Sequence, residues 1–164
     1  MASLHSARVS RRLTRQCALR FQFGLTCPLF RQHGARATEP WGYGDTSLAA
    51  IKKAMALRET LAPYIMTAMQ RVSTTGQPVN RPLFWDFPDD PKVWTDETKD
   101  VYMFGADMLV APVTDMGARN RTLYLPKGSS WQHYFTQKLY TGGQSVTVDA
   151  PLDEFPLFTR KGGQ

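Results

Sequence analysis

The 164-residue sequence predicts an α/β segment organised on one long, kinked helix, followed by an all-β portion folded as an antiparallel sandwich. Three observations carry this. Leu48, Ile51, Met55, Ala62, Ile65, Met69 and Val72 recur at steps of three, four or seven, which lays one apolar stripe along a helix. Beyond Gly76 that stripe gives way to short apolar runs separated by Gly, Pro and Asp, the pattern of strands joined by turns. With 42% hydrophobic residues the chain can build a core, yet it is shorter than the ~250 residues of a complete β/α barrel.

Taken in order, residues 1–20 (MASLHSARVSRRLTRQCALR) read as a basic leader, rich in Arg and Ser and free of acids. A disordered start is the favoured reading and a transit peptide the other. FQFGLTCPLF (21–30) is apolar but interrupted by Gly24 and Pro28; its last residues are expected to form a buried strand that hands over to Arg31-Gln32-His33-Gly34. EPWGYGDTS (39–47) is a loop whose Asp45 or Thr46 caps the long helix. Pro63 lies inside that helix and should kink or break it, because it lacks an N–H for the carbonyl of Glu59. The helix methionines are expected in the core as gap-fillers. Strands are expected in PVNRPLFW (78–85), VYMFG (101–105), DMLVAPV (107–113), RTLYLP (121–126), WQHYF (131–135) and QSVTVDA (144–150). Turn chemistry is supplied by residues 127–130 and 141–143.

The net charge of +6 is lopsided. Residues 1–36 hold seven Arg and no acid, so the remainder, with 13 basic and 14 acidic residues, is close to neutral. No zinc-finger spacing or paired aromatic platform accompanies the basic opening, so a nucleic-acid partner is not expected. No apolar run approaches the ~20 residues of a membrane helix, and no membrane partner is expected. Cys17 and Cys27 imply neither a zinc site nor a disulfide framework. Asn120-Arg121-Thr122 matches the N-glycosylation pattern, relevant only to a secreted chain.

Most catalytic templates are missing. There is no P-loop, dinucleotide fingerprint or GxSxG elbow, and His5, His33 and His133 lack metal-ligand spacing; no cofactor and no metal are expected. Asp86, Asp89, Asp90, Asp96, Glu97, Asp100 and Asp107 cluster around DFPDDPKVWTDETKD, which its prolines and polar residues mark as a solvated surface segment rather than a catalytic carboxylate pair. His33 differs in following an apolar run. A neutral imidazole donates one hydrogen bond and accepts another, which suits adjacent sugar hydroxyls, although a structural histidine fits as well. Arg31 beside it can hold a carboxylate in bidentate fashion.

Several ordered motifs resemble glycoside hydrolase family 31, the α-glucosidase and α-xylosidase family. FQFGLTCPLFRQHGARATEPW looks like the family's Arg-x-His-Gly signature. ALRETLAPYIMTAMQRVSTTGQPVNRPLFWDFPDDP is similar to its Leu-Arg and Pro-Tyr helix followed by a Gly-x-Pro turn and an Arg-Pro-Leu strand. DVYMFGADMLVAPV, RTLYLPKGSSWQHYFTQKLYTGG and APLDEFPLFTRKGG resemble the entry into the sandwich behind the barrel. The resemblance implies the terminal part of a (β/α)8 barrel over residues 21–100 and a β-sandwich portion over 101–164. It implies substrate contact by His33, support from Arg31, and retaining hydrolysis of terminal α-linked glucose or xylose in the complete enzyme. The two catalytic aspartates belong to earlier barrel strands and have no matching motif here. The expected partners are therefore a carbohydrate and the missing N-terminal part of the barrel, and the chain alone is expected to be inactive and marginally stable. A non-catalytic carbohydrate-binding or scaffold protein is the alternative.

Overall fold

The computed structural model describes residues 16–31, 39–115 and 117–162. Residues 16–25 form a helix, α1, and Asp45–Thr75 form the long helix α2, preceded by a 3-10 turn at Pro40–Tyr43. A short helix, α3, spans Leu83–Asp86. Eight strands follow the long helix: β1 Asn80–Pro82, β2 Tyr102–Phe104, β3 Met108–Val110, β4 Asn120–Leu125, β5 Ser130–His133, β6 Leu139–Thr141, β7 Gln144–Asp149 and β8 Leu157–Lys161.

The strands make two sheets, one ordered β1-β2-β3-β8-β5-β6 and the other a β4-β7 pair, with antiparallel pairing throughout. All six predicted strand regions contain a strand. Residues 83–85 of the first turn instead into α3, and β6 and β8 are additional. β7 alternates as a strand with one wet face should: Val146 and Val148 point inward between exposed neighbours. β3 does not alternate, because Met108, Leu109 and Val110 are all buried. The large sheet is covered on both faces. Leu109 and Met103 join Leu123, Leu125, Trp131, Val146, Val148 and Phe158 between the two sheets. Met108, Val110, Phe104 and Leu157 face Leu61, Ile65 and Leu25 from the helices. Continuous apolar runs are what two-sided burial requires.

Helix α2 has the predicted extent, and Gly76 terminates it in the left-handed region, donating its N–H to the carbonyl of Val72 at 2.9 Å. It runs without interruption through Pro63 instead of splitting in two. Pro63 and Glu59 are both exposed, so water can serve the carbonyl that loses its partner. The buried face also differs from the predicted stripe. Ala50, Ile51, Ala54, Leu61 and Ile65 are buried, whereas Met55, Met66 and Met69 are exposed. The methionines of α2 are not core residues, because the sheet meets the helix along its small and branched residues. Side chains also fasten the helices to the sandwich: Gln22 Nε2 donates to the Leu152 carbonyl at 2.6 Å, Lys53 Nζ pairs with Asp153 at 2.8 Å and Glu154 at 2.7 Å, and the Tyr64 hydroxyl donates to the Phe104 carbonyl at 2.8 Å and accepts from the Asp107 N–H at 3.0 Å.

Candidate sugar-pocket segment

The segment that carries Arg31 does not enter as a strand. Residues 21–25 complete helix α1, which begins inside the opening read as a disordered leader, and residues 26–31 form an irregular turn. The helical signal was present: Cys17, Ala18, Phe21, Gln22 and Leu25, all buried, recur at helical spacing. It is split when the chain is divided after Arg20. Leu25 then packs in the helix–sheet core, and Phe21 packs with Cys17 and Ile51.

The turn is held from several sides. Thr26 Oγ1 donates to the Phe23 carbonyl at 3.0 Å and lies 2.7 Å from the Tyr102 hydroxyl. The Cys27 N–H reaches the Gly24 carbonyl at 3.0 Å. Burial raises the Tyr102 phenol well above its ordinary range, the Thr26 hydrogen bond opposing in part, so it stays a neutral hydroxyl. Phe30 folds back edge-on to Phe21, with centroids 5.5 Å apart, and over Gly24, where an added Cβ would come within 2.8 Å of its ring. From helix α2, Arg58 donates to the carbonyls of Leu25 at 2.6 Å, Cys27 at 2.7 Å and Pro28 at 3.0 Å. Burial is the main influence on the Cys27 thiol and raises it, with Arg58 pulling the other way; the thiol is no activated nucleophile.

Arg31 emerges exposed from this turn and lines a surface cavity of about 340 Å³ with Arg20, Phe21, Gly24, Cys27 and Phe30. His33 lies outside the described residues. His133, the described histidine, is a core residue of β5, 3% exposed, edge-on to Phe158 and accepting from the Thr136 N–H at 3.2 Å. Desolvation lowers its pKa, Glu154 opposing, which keeps it neutral.

The acidic cluster is solvated as predicted at Asp89, Asp96, Glu97 and Asp107, but Asp86, Asp90 and Asp100 are drawn in. Asp86 receives both Nε (2.9 Å) and Nη2 (3.0 Å) of Arg81, a side chain that also donates to the carbonyls of Pro78 and Gly105. Asp100 pairs with Arg121, and Glu97 with Lys92 at 3.0 Å. Asp90 is buried rather than solvated. Its carboxylate caps the turn at Pro91–Trp94 through the Lys92 N–H and accepts from the Tyr124 hydroxyl at 2.9 Å and the Lys127 N–H at 3.0 Å. Burial alone would raise this carboxyl; the Lys127, Tyr124 and Lys92 donors more than offset it and hold it below the ordinary range. These four carboxylates are engaged in holding the chain together. Among the described residues no group of His, Cys, Asp and Glu is arranged to hold a metal ion, and no helix is long and apolar enough to cross a membrane.

Comparison with known proteins bears on the whole chain. The family model for the glycosyl hydrolases family 31 TIM-barrel domain matches residues 12–68, and that for the glycosyl hydrolase family 31 C-terminal domain matches residues 76–163. Alpha-glucosidase 2 of Bacillus thermoamyloliquefaciens is 36% identical over 144 residues, covering 86% of this chain and 18% of that protein. Alpha-xylosidase of Saccharolobus solfataricus is 35% identical over 143 residues, covering 87% and 19%. Among solved structures, the GH31 alpha-xylosidase of Xanthomonas citri superimposes with a TM-score of 0.90 at 37% identity, covering 97% of this chain and 18% of that one. A GH31 alpha-xylosidase from a soil metagenome, complexed with xylose, does so at 0.84 and 37% identity, covering 93% and 25%. The chain thus spans about a fifth of the length of the curated relatives named here. With a barrel-domain match on the helical half and a C-terminal-domain match on the sandwich, the chain belongs to glycoside hydrolase family 31.

Proposed function

We propose that these residues form the sugar-contacting end of a retaining α-glycosidase that acts on terminal α-linked glucose or xylose, with His33 and Arg31 as substrate-binding residues. The observation that carries the reading is the Arg31-Gln32-His33-Gly34 element following a turn fastened to two helices and the sheet, in a chain whose relatives include alpha-glucosidases and alpha-xylosidases. Solved neighbours are described as complexes with xylose and isomaltotriose, both carbohydrates. A neutral imidazole at position 33 would accept from one sugar hydroxyl and donate to the next, and Arg31 would offer a rigid fork of donors beside it.

Bond cleavage in retaining enzymes needs a nucleophilic carboxylate and an acid about 5 Å apart across the sugar. Asp86, Asp90, Glu97 and Asp100 are occupied as ion-pair and capping partners, so this chain binds and orients while carboxylates from the rest of a barrel cut. The remaining barrel is the protein partner of this reading. Exposed Trp41, Met66 and Leu29 offer apolar surface for it.

The test uses the purified chain with nitrophenyl α-glucoside and α-xyloside, and a sugar titration of wild type against His33→Ala. No turnover and a weakened sugar contact in the variant are expected. Turnover abolished by an aspartate substitution within residues 86–107 would overturn the inactive reading, and identical titrations would remove His33 from the pocket. The alternative, a non-catalytic carbohydrate-binding or scaffold protein, draws on the sandwich having its own core. Adding a separately expressed aspartate-bearing barrel discriminates: restored turnover supports the enzyme part, and sugar binding without turnover supports the scaffold.

A further inference from the structure

We propose that Arg58 is a positioning residue for the sugar pocket: its guanidinium fixes the end of α1 and the turn after it, residues 25–30, and thereby aims Arg31. The inference rests on the sugar-contact reading above. Three carbonyls, that of Leu25 at the end of α1 and those of Cys27 and Pro28 in the irregular turn, converge on this single side chain at 2.6, 2.7 and 3.0 Å. The same guanidinium lies 5.2 Å from the centroid of the Phe30 ring, the residue immediately before Arg31. One cation therefore grips both the backbone and the last side chain ahead of the proposed substrate contact.

The chemistry requires arginine in particular. Residues 26–31 form neither helix nor strand, so their carbonyls have no ladder to satisfy them. A planar fork with five fixed donors can serve carbonyls spread over four residues and still present its face to an aromatic ring, whereas an ammonium is a point donor. The base of the fork is rigid too. Arg58 stands in the middle of α2, three residues before Leu61, which is buried against the sheet. Any displacement of the pocket turn relative to the sandwich must then break charge-assisted hydrogen bonds, which are stronger than neutral ones. A positioning contact of this kind matters because a shift of about 1 Å can cost up to a hundredfold in a site that relies on geometry.

The experiment compares the full chain with Arg58→Gln and Arg58→Lys by amide hydrogen exchange, and by titration with glucose and with xylose. Arg58→Gln should speed exchange at residues 26–31 at least about tenfold and weaken sugar binding roughly ten- to a hundredfold. Exchange in β3 and β8 should stay unchanged. Arg58→Lys, which keeps the charge but gathers its donors on a single nitrogen, should recover part of both effects. Unaltered exchange at residues 26–31 would overturn the proposal, and so would accelerated exchange with unaltered sugar affinity, since that is a purely structural role. Should Arg58→Gln fail to fold, Arg58→Lys carries the same two readouts. Failure of the wild-type chain to bind either sugar would sink the sugar-contact reading instead, leaving the exchange comparison to decide whether Arg58 holds the turn.

Discussion

The sandwich and the helical half of this chain solve the problem of burial differently. In the sandwich, both faces of the central sheet are covered from within the chain: the β4-β7 pair closes one and helix α2 the other. In the helical half only the sheet-facing side is closed. Leu29, Trp41 and Met66 are 81%, 71% and 61% exposed, with Met55, Met69 and Phe23 also largely open. The difference teaches that apolar side chains can have two meanings. In the sandwich most of them close a core between two sheets, with Trp85, Trp94 and Leu139 left exposed at its surface, and in the helical half more of them are surface that needs a neighbour.

Truncating Trp131 should break the finished side most. The indole is fully buried between the sheets and donates to the Pro126 carbonyl at 3.0 Å. Trp131→Ala is expected to cost about 3–5 kcal/mol, measured by urea denaturation with circular dichroism, enough to unfold a marginal chain. Arg81→Ala comes next. Arg81 is 3% exposed, and its removal strands the Asp86 carboxylate and the Gly105 and Pro78 carbonyls, for an expected loss of about 3 kcal/mol. Asp90→Asn keeps an acceptor but removes the charge that draws three donors together, and should cost about 1–2 kcal/mol.

Acid should act on the sandwich in two steps. The buried imidazole of His133 titrates below its unfolded value of 6.5, so between the two values the unfolded chain holds more protons and stability rises with pH. Stability is therefore lost as pH falls from 6.5 toward the folded pKa. The depressed carboxyl of Asp90 behaves with the same sign below 3.8. His133→Gln should flatten the upper step in a series of unfolding curves. The smallest effect belongs to the open side. Met66→Ser and Met69→Ser should shift stability by less than about 0.5 kcal/mol. A large loss in either would mean that the helical half is closed in solution by a second molecule, and the contrast between the halves would fall.

Much of this was legible beforehand because strands and long helices write local periodicities. The stripe and Gly76 located α2, and apolar runs located β2, β3, β4, β5 and β7. β8 was hidden, since Leu157-Phe158-Thr159-Arg160-Lys161 turns polar halfway and takes its strand form from pairing with β3 and β5. The site was less legible than the fold. Arg31 and His33 stood out as a motif, and Arg58 as part of the Leu-Arg element, but the role of Arg58 did not, because a helix arginine acquires it from carbonyls more than 30 positions away.

By itself the sequence determined the family, the long helix and the antiparallel character of the second half, all properties of local pattern and ordered motif. Tertiary structure decided the rest. It turned residues 16–25 into a helix, left the methionines of α2 outside, buried Asp90 under three donors and gathered carbonyls around Arg58. The physical reason is that periodicity reports which face of an element is apolar. What that face meets, and which polar groups are drawn in to satisfy a buried charge or carbonyl, depends on partners distant in the chain.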